Sequence, residues 1–185
     1  MYGTSSNTGQ LLYDDEMGNM VANQNRGNAY IYGYTASYQG KLSEYISTNG
    51  FVTYTKGRTY DTEEPLSSIP PFFGQFDINY TNKKFQLGTS FRFNSKKDIS
   101  DFNFTEGIDN HDLTPIVNEN AIEDIDKYYG SPSWVTLGFN SSFAFNKNWK
   151  LQGMISNLFD QHFREFASGI SAPGRNFSFS LITVF

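Results

Sequence analysis

Apolar and polar side chains alternate with period two along seven stretches of the chain, the spacing that sends successive side chains to opposite faces of a β-strand. The first, residues 28–39, places Tyr30, Tyr32, Tyr34, Ala36 and Tyr38 on one face. The second, 44–59, is the least regular, with Ile46, Val52 and Tyr54 in phase. The third, 71–80, aligns Phe72, Phe76, Ile78 and Tyr80, and the fourth, 84–94, aligns Phe85, Leu87, Thr89, Phe91 and Phe93. The fifth, 133–146, aligns Val135, Leu137, Phe139, Phe143 and Phe145. The sixth, 148–158, carries Trp149, Leu151 and Ile155, and the seventh, 175–185, carries Phe177, Phe179, Leu181 and Phe185. Seven such segments without a helical period predict an all-β, antiparallel protein.

Alternation alone does not say whether the apolar face is a core or faces lipid. The partner faces are small and polar: Gly138, Asn140 and Ser142 in the fifth segment, Ser178 and Ser180 in the seventh. The connections also fall into two sets. Those at 40–43, 81–83 and 147 are short, while those at 60–70, 95–132 and 159–174 are long. Short turns at one end and long loops at the other are the pattern of a transmembrane β-barrel, with the short turns periplasmic and the long loops extracellular. In that orientation Tyr80, Phe85, Phe145, Trp149 and Phe185 form one aromatic girdle, and Phe72 and Trp134 belong to the other. A soluble sandwich or ligand-binding β-barrel is the alternative.

Composition agrees with an all-β chain. Eighteen Phe and 12 Tyr suit strands, and 16 Gly among many Asn and Ser supply turns. A net charge of −5, with 14 basic residues scattered along the chain, argues against nucleic acid as the partner, because phosphate binding needs a basic face. Without cysteine there is no disulfide framework and no thiolate metal site. No apolar run approaches the roughly 18 residues of a transmembrane helix. The N-terminal residues have no basic segment followed by an apolar core, so no secretory signal is expected there.

The stretch Asn157-Leu158-Phe159-Asp160, followed by Phe163, Gly169-Ile170, Pro173-Gly174-Arg175 and an alternating strand ending in Phe185, resembles the C-terminus of TonB-dependent outer-membrane receptors. Pro65-Leu66, Ile69-Pro70-Pro71 and Gly74 resemble that family's loop before a strand. Asn25, Gly27, Ala29, Ile31 and Gly33 resemble its lead-in to another. The resemblance implies that the seven strands are the C-terminal section of a barrel of about 22 strands closed around a plug. Residues 28–185 are then barrel strands and loops, with 1–27 an extracellular loop and strand extension. It also implies a Gram-negative outer-membrane location and import of a scarce solute, with a ferric siderophore or other iron chelate as the expected substrate. The implied partners are the TonB complex, acting through a plug that this sequence does not contain, the barrel-assembly machinery, and outer-membrane lipids and lipopolysaccharide. Phe177, Phe179, Leu181 and Phe185 match the family's assembly signal, and the simpler account is that they are lipid-facing side chains. A structural or adhesive barrel without transport is the competing function. Seven strands do not close a barrel, so the chain alone is expected to be incompetent in transport.

Loops on a rigid scaffold usually carry binding. The substrate-facing candidates are Tyr60, His111, Tyr128, Tyr129, His162, Phe163, Arg164 and Phe166, since rings and a guanidinium suit a large chelate. Interfacial anchoring or lipopolysaccharide contact is the plainer account of the tyrosines, phenylalanines and arginine, and simple loop exposure that of the two histidines. The acids of 98–126, among them Asp98, Asp101, Asp109 and Asp124, do not follow an EF-hand register and read as a solvated loop. No metal site, cofactor or catalytic motif is assigned: the chain has no nucleophile elbow, phosphate loop or zinc-binding histidine pair.

Overall fold

A computed structural model describes residues 28–104 and 109–184. The expectations for Asn25, Gly27 and the rest of 1–27, and for Phe185, lie outside those residues. Seven strands form one sheet: β1 (Ala29–Lys41), β2 (Ile46–Thr59), β3 (Phe73–Thr81), β4 (Phe85–Asn94), β7 (Trp134–Ala144), β8 (Trp149–Ser156) and β9 (Asn176–Thr183). Two further strands, β5 (Lys97–Asp98) and β6 (Gly130–Ser131), make a separate ribbon inside the longest connection. Among the described residues that connection also holds two 3-10 turns, Ile99–Asp101 and His111–Leu113, and one α-helical turn, α1 (Asp124–Lys127).

Every neighbouring pair in the sheet is antiparallel, in the order β1-β2-β3-β4-β7-β8-β9. The register puts the predicted apolar positions within the paired strands on one surface: Tyr34 opposes Tyr54, Phe76 opposes Phe91, Leu137 also opposes Phe91, Phe143 opposes Leu151, and Leu151 opposes Leu181. A slip of one residue at any pair would turn a strand's apolar set to the other side, so the pattern and the register specify each other. β1 and β9 are the sheet's two ends and do not pair with one another, so these seven strands do not close.

The apolar surface is uncovered. Phe76, Ile78, Phe139, Phe177 and Phe179 are between 43% and 76% exposed. Among the described residues the buried apolar side chains are Ile99, Phe102, Trp134 and Phe163, all in the long connections or directly beneath them. A soluble β-fold would bury that surface; a barrel wall presents it to lipid. The opposite face carries a polar net: Asp77 accepts from Asn49 at 2.8 Å and from Gln75 at 2.9 Å, and Ser142 donates to Gln86 at 3.0 Å.

The two ends of the sheet differ as the sequence predicts. At one end the strands are joined by tight turns at 42–45, 82–84 and 145–148, where Asn82 and Asn146 side chains accept from backbone N–H groups two and three residues on. Such Asx turns are local and need no support from the rest of the fold. The other end bears the long connections 60–72, 95–133 and 157–175. One girdle assignment is corrected. Trp134 pairs with Asn94 on the inward polar face and is only 7% exposed, so it is not an interfacial anchor. Phe72 keeps its place, packing on the outward-facing Phe93 with ring centroids 5.4 Å apart.

Candidate functional site

The long connections converge on one buried ion pair. The β5–β6 ribbon, which relies on Gly130 at φ 84°, sets Lys97 under the loop layer. Only Gly adopts that backbone without strain, and a Cβ there would strike the Lys97 carbonyl oxygen. Lys97 Nζ donates to the Ile69 carbonyl at 2.7 Å and meets Asp109 Oδ2 at 3.2 Å. It also lies 4.0 Å from the Phe166 ring centroid and 4.7 Å from that of Phe102. Asp109 is fully buried and accepts the Ser68 N–H at 2.7 Å through its other oxygen. One pair therefore ties residues from all three connections together. Burial pushes the Lys97 ammonium below its ordinary pKa, and Asp109 opposes that shift.

The backbone around the pair is unusual. Ser68, Asn110 and Ala167, one from each connection, hold left-handed conformations that cost most residues energy. Asn110 Nδ2 donates to the Ala167 carbonyl at 2.8 Å, which fixes two of the three against each other.

A cleft of about 250 Å³ opens between the segments 109–115, 131–134 and 162–171. Trp134 and Phe163 stack at its base with ring centroids 4.3 Å apart, and the Arg92 guanidinium covers the indole at 5.6 Å. Two carboxylates line the cleft and both are engaged: Asp109 by Lys97, and Glu165 by Arg92 at 2.8 Å. Arg164 also lines it and donates to the Leu113 carbonyl at 2.6 Å. His162 Nε2 lies 3.0 Å from Ser171 Oγ. A second cavity of about 240 Å³ lies toward the inward face of the sheet and shares Trp134 and Glu165 with the cleft.

The predicted loop residues divide accordingly. His162, Phe163 and Arg164 line the cleft, and Phe166 lines the second cavity. His111 is buried beside Phe104 and Tyr128, with Nε2 2.9 Å from Asp124, and so serves the interior of its own loop. Tyr129 lies under Lys96, 4.0 Å from ring centroid to Nζ. Tyr60 packs at a tilt on Tyr30 at the β1–β2 margin and does not line the cleft. The acidic loop departs from a purely solvated reading: Asp101 pairs with Arg58 at 2.8 Å, and Asp98 with Lys96 at 2.9 Å. The hydrogen bond between Lys96 and Asp98 holds the ammonium above its ordinary pKa and the carboxyl below. Among the described residues no three histidine, aspartate or glutamate side chains gather as a metal site. The sequence does not single out Lys97 or Arg92, and it offers Asp109 only as one acid of a solvated loop and Trp134 only as a girdle residue. Only the inward phase of Arg92 and Trp134 in their strands hints at a role.

The Asn157–Asp160 and Pro173–Arg175 segments have a shared structural purpose. Asn157, at φ 49°, accepts the Gln161 N–H at 3.0 Å and donates to the carbonyls of Gln161 and Pro173 at 2.9 and 3.3 Å. Asp160 accepts the Arg175 N–H at 2.6 Å and so fixes the start of β9. A Cβ on residue 174 would lie 2.7 Å from Asp160 Oδ1. A side chain at 174 would thus displace the Asp160 carboxylate that caps Arg175 rather than any backbone. Leu158 N–H bonds to the Leu137 carbonyl, and Phe159 is 68% exposed.

An antiparallel sheet with a lipid-type outer surface, a polar inner surface and a stitched loop layer at one end is a section of a transmembrane β-barrel receptor wall. The family model described as TonB dependent receptor-like, beta-barrel matches residues 2–158. The chain belongs to that family. The match rests on the strands upstream of Phe159, so it is independent of most of the Asn157–Phe185 stretch. Among solved structures, the chain is similar to the copper transporter OprC (19% identity, TM-score 0.62, covering 85% of this chain and 23% of that one). It is similar to the ferripyoverdine receptor of the outer membrane of Pseudomonas aeruginosa bound to ferripyoverdine (17% identity, TM-score 0.60, 84% and 19%). It is also similar to a mutant ferric enterobactin receptor from the same organism (19% identity, TM-score 0.57, 85% and 22%). At these identities the likeness is one of fold. The chain spans about a fifth of the length of these structures. No curated protein matches it.

Proposed function

We propose that these strands are the C-terminal section of the wall of a TonB-dependent receptor in a Gram-negative outer membrane. Residues 28–185 supply wall and extracellular loops, and 1–27 an extracellular loop and strand extension. The receptor imports a scarce solute, with a ferric siderophore or related iron chelate as the substrate class. The observation that carries this reading is the pairing of an uncovered apolar outer surface with loops that are locked together at one end only. TonB acts through the receptor's plug, and this section contributes the binding loops Thr59–Ile69, Ser95–Ser131 and Phe159–Gly174. Phe177, Phe179 and Leu181 lie on the outward face of β9 and, with Phe185, present the assembly machinery with its signal; they then pack against lipid and lipopolysaccharide. Iron-starved cells whose receptor includes this segment are expected to take up labelled ferric siderophore only while TonB is present. Uptake that persists without TonB, or its absence for every iron chelate tried while the barrel still assembles, would favour a structural or adhesive barrel.

A further inference from the structure

The charges around the loop cleft do not cancel. Its two carboxylates, Asp109 and Glu165, are each held by a cation of their own, Lys97 and Arg92. Among the described residues, Arg164 has only a carbonyl oxygen as partner, and no carboxylate. A guanidinium has five N–H donors in a fork that matches a carboxylate, so one bond to Leu113 leaves most of them unused. Among the described residues that line the cleft, Arg164 is therefore the charge without an opposite partner, although the longest loop is rich in acids. His162 stands beside it, and its Nε2 is tied to Ser171.

The rest of the lining is largely apolar. Leu113, Pro115 and Pro132 form walls, and Trp134 and Phe163 form the base. At roughly 30 Å³ for each water-sized volume, about 250 Å³ has room for on the order of eight to ten non-hydrogen atoms. A cleft with convergent polar groups on an apolar frame is the common form of a small-molecule site. We propose that this cleft binds a small carboxylate carried on a flat apolar body, with Arg164 as its counter-ion and the proline, leucine and aromatic walls as its seat. The inference deepens the transport reading, because it places one anionic arm of the solute between the two loops 95–133 and 157–175.

The test uses the whole receptor that contains this segment, in detergent, with para-fluorobenzoate as the probe and para-fluorobenzamide as its neutral counterpart, followed by fluorine NMR. Benzoate is expected to bind and benzamide to bind at least about tenfold more weakly, the worth of a charge-assisted bond. Arg164→Gln should weaken benzoate by about tenfold or more and leave benzamide unchanged, while Arg164→Lys should retain part of the affinity. Heat-modifiable mobility of each variant on a gel confirms that the barrel is folded. Equal binding of the two probes, or unchanged benzoate affinity in folded Arg164→Gln, overturns the proposal. TonB-dependent uptake is measured on the same variants. Intact uptake with Arg164-independent benzoate binding rejects this site and leaves the transport reading standing. Arg164-dependent binding in a receptor that imports no iron chelate supports the site and rejects the transport reading.

Discussion

Replacing Lys97 by Met removes the buried cation at the centre of the loop layer and keeps an apolar stem of similar length against Phe102 and Phe166. Its partner, Asp109, is then a fully buried carboxylate whose remaining hydrogen-bond partner among the described residues is the Ser68 N–H. At 3.2 Å and an effective dielectric constant of about 20, the lost attraction is about 5 kcal/mol before desolvation is set against it. Breaking a buried pair from one side costs about 3–5 kcal/mol, because the charge left behind is uncompensated. The assay is amide hydrogen exchange on the receptor, since loop opening is a local event that does not require the barrel to unfold. Protection at Ser68 and through 97–104, 109–113 and 163–168 should fall together, by about a hundredfold or more at 1.4 kcal/mol per factor of ten. Adding Asp109→Asn restores neutrality and keeps an acceptor for Ser68. The double variant should therefore cost less than about 2 kcal/mol, well short of the single one. Asp109→Asn alone should be milder than Lys97→Met, because an ammonium whose pKa burial has already lowered can shed its proton. If Lys97→Met and the double variant lose the same protection within about 0.5 kcal/mol, the pair does not hold the layer together.

Lys97 also sets a pH dependence. Its pKa in the closed layer is below the ordinary 10.5 of the opened state, so between the two values the opened state holds more protons and closure strengthens as pH rises. Limited proteolysis of the loops should slow across that alkaline window, after correction for protease activity, and Lys97→Met should show no such trend. On the sheet, Phe139 faces outward at mid-strand and Asn140 inward, so Phe139→Arg should destabilise the barrel in lipid by about 2–4 kcal/mol and Asn140→Arg much less. Urea titration of folding into vesicles measures both, and equal effects would sink the face assignment. Gly174→Ala crowds Asp160 and disturbs its bond to Arg175; a loss of about 1–2 kcal/mol of protection at the Arg175 amide is expected.

What could be read from the sequence follows from the range of the forces involved. The side-chain period of a strand is local, so the phase of Phe85 through Phe93 marks both the strand and the residues that share its apolar face, while the side that face takes rests on the loop asymmetry. The tight turns were equally accessible, because Asn82 and Asn146 act on neighbours two or three residues away. The loop layer has no such period. Lys97 and Asp109 are 12 residues apart with no side-chain period to relate them across the short 3-10 turn Ile99–Asp101, and only folding brings the Ile69 carbonyl and the Phe166 ring to the same ammonium. The acids of that loop therefore looked alike as a solvated run, although Asp109 is buried and Asp98 is not. Trp134 shows how a local rule can mislead. An aromatic residue at the outer end of a strand is commonly a girdle anchor, but its parity with Thr136, Gly138 and Asn140 already placed it inward. Phase along the strand outranks residue type at its end. That inward phase bears on the proposed site, because it sets the indole against Phe163 in the cleft where Arg164 has no carboxylate partner among the described residues.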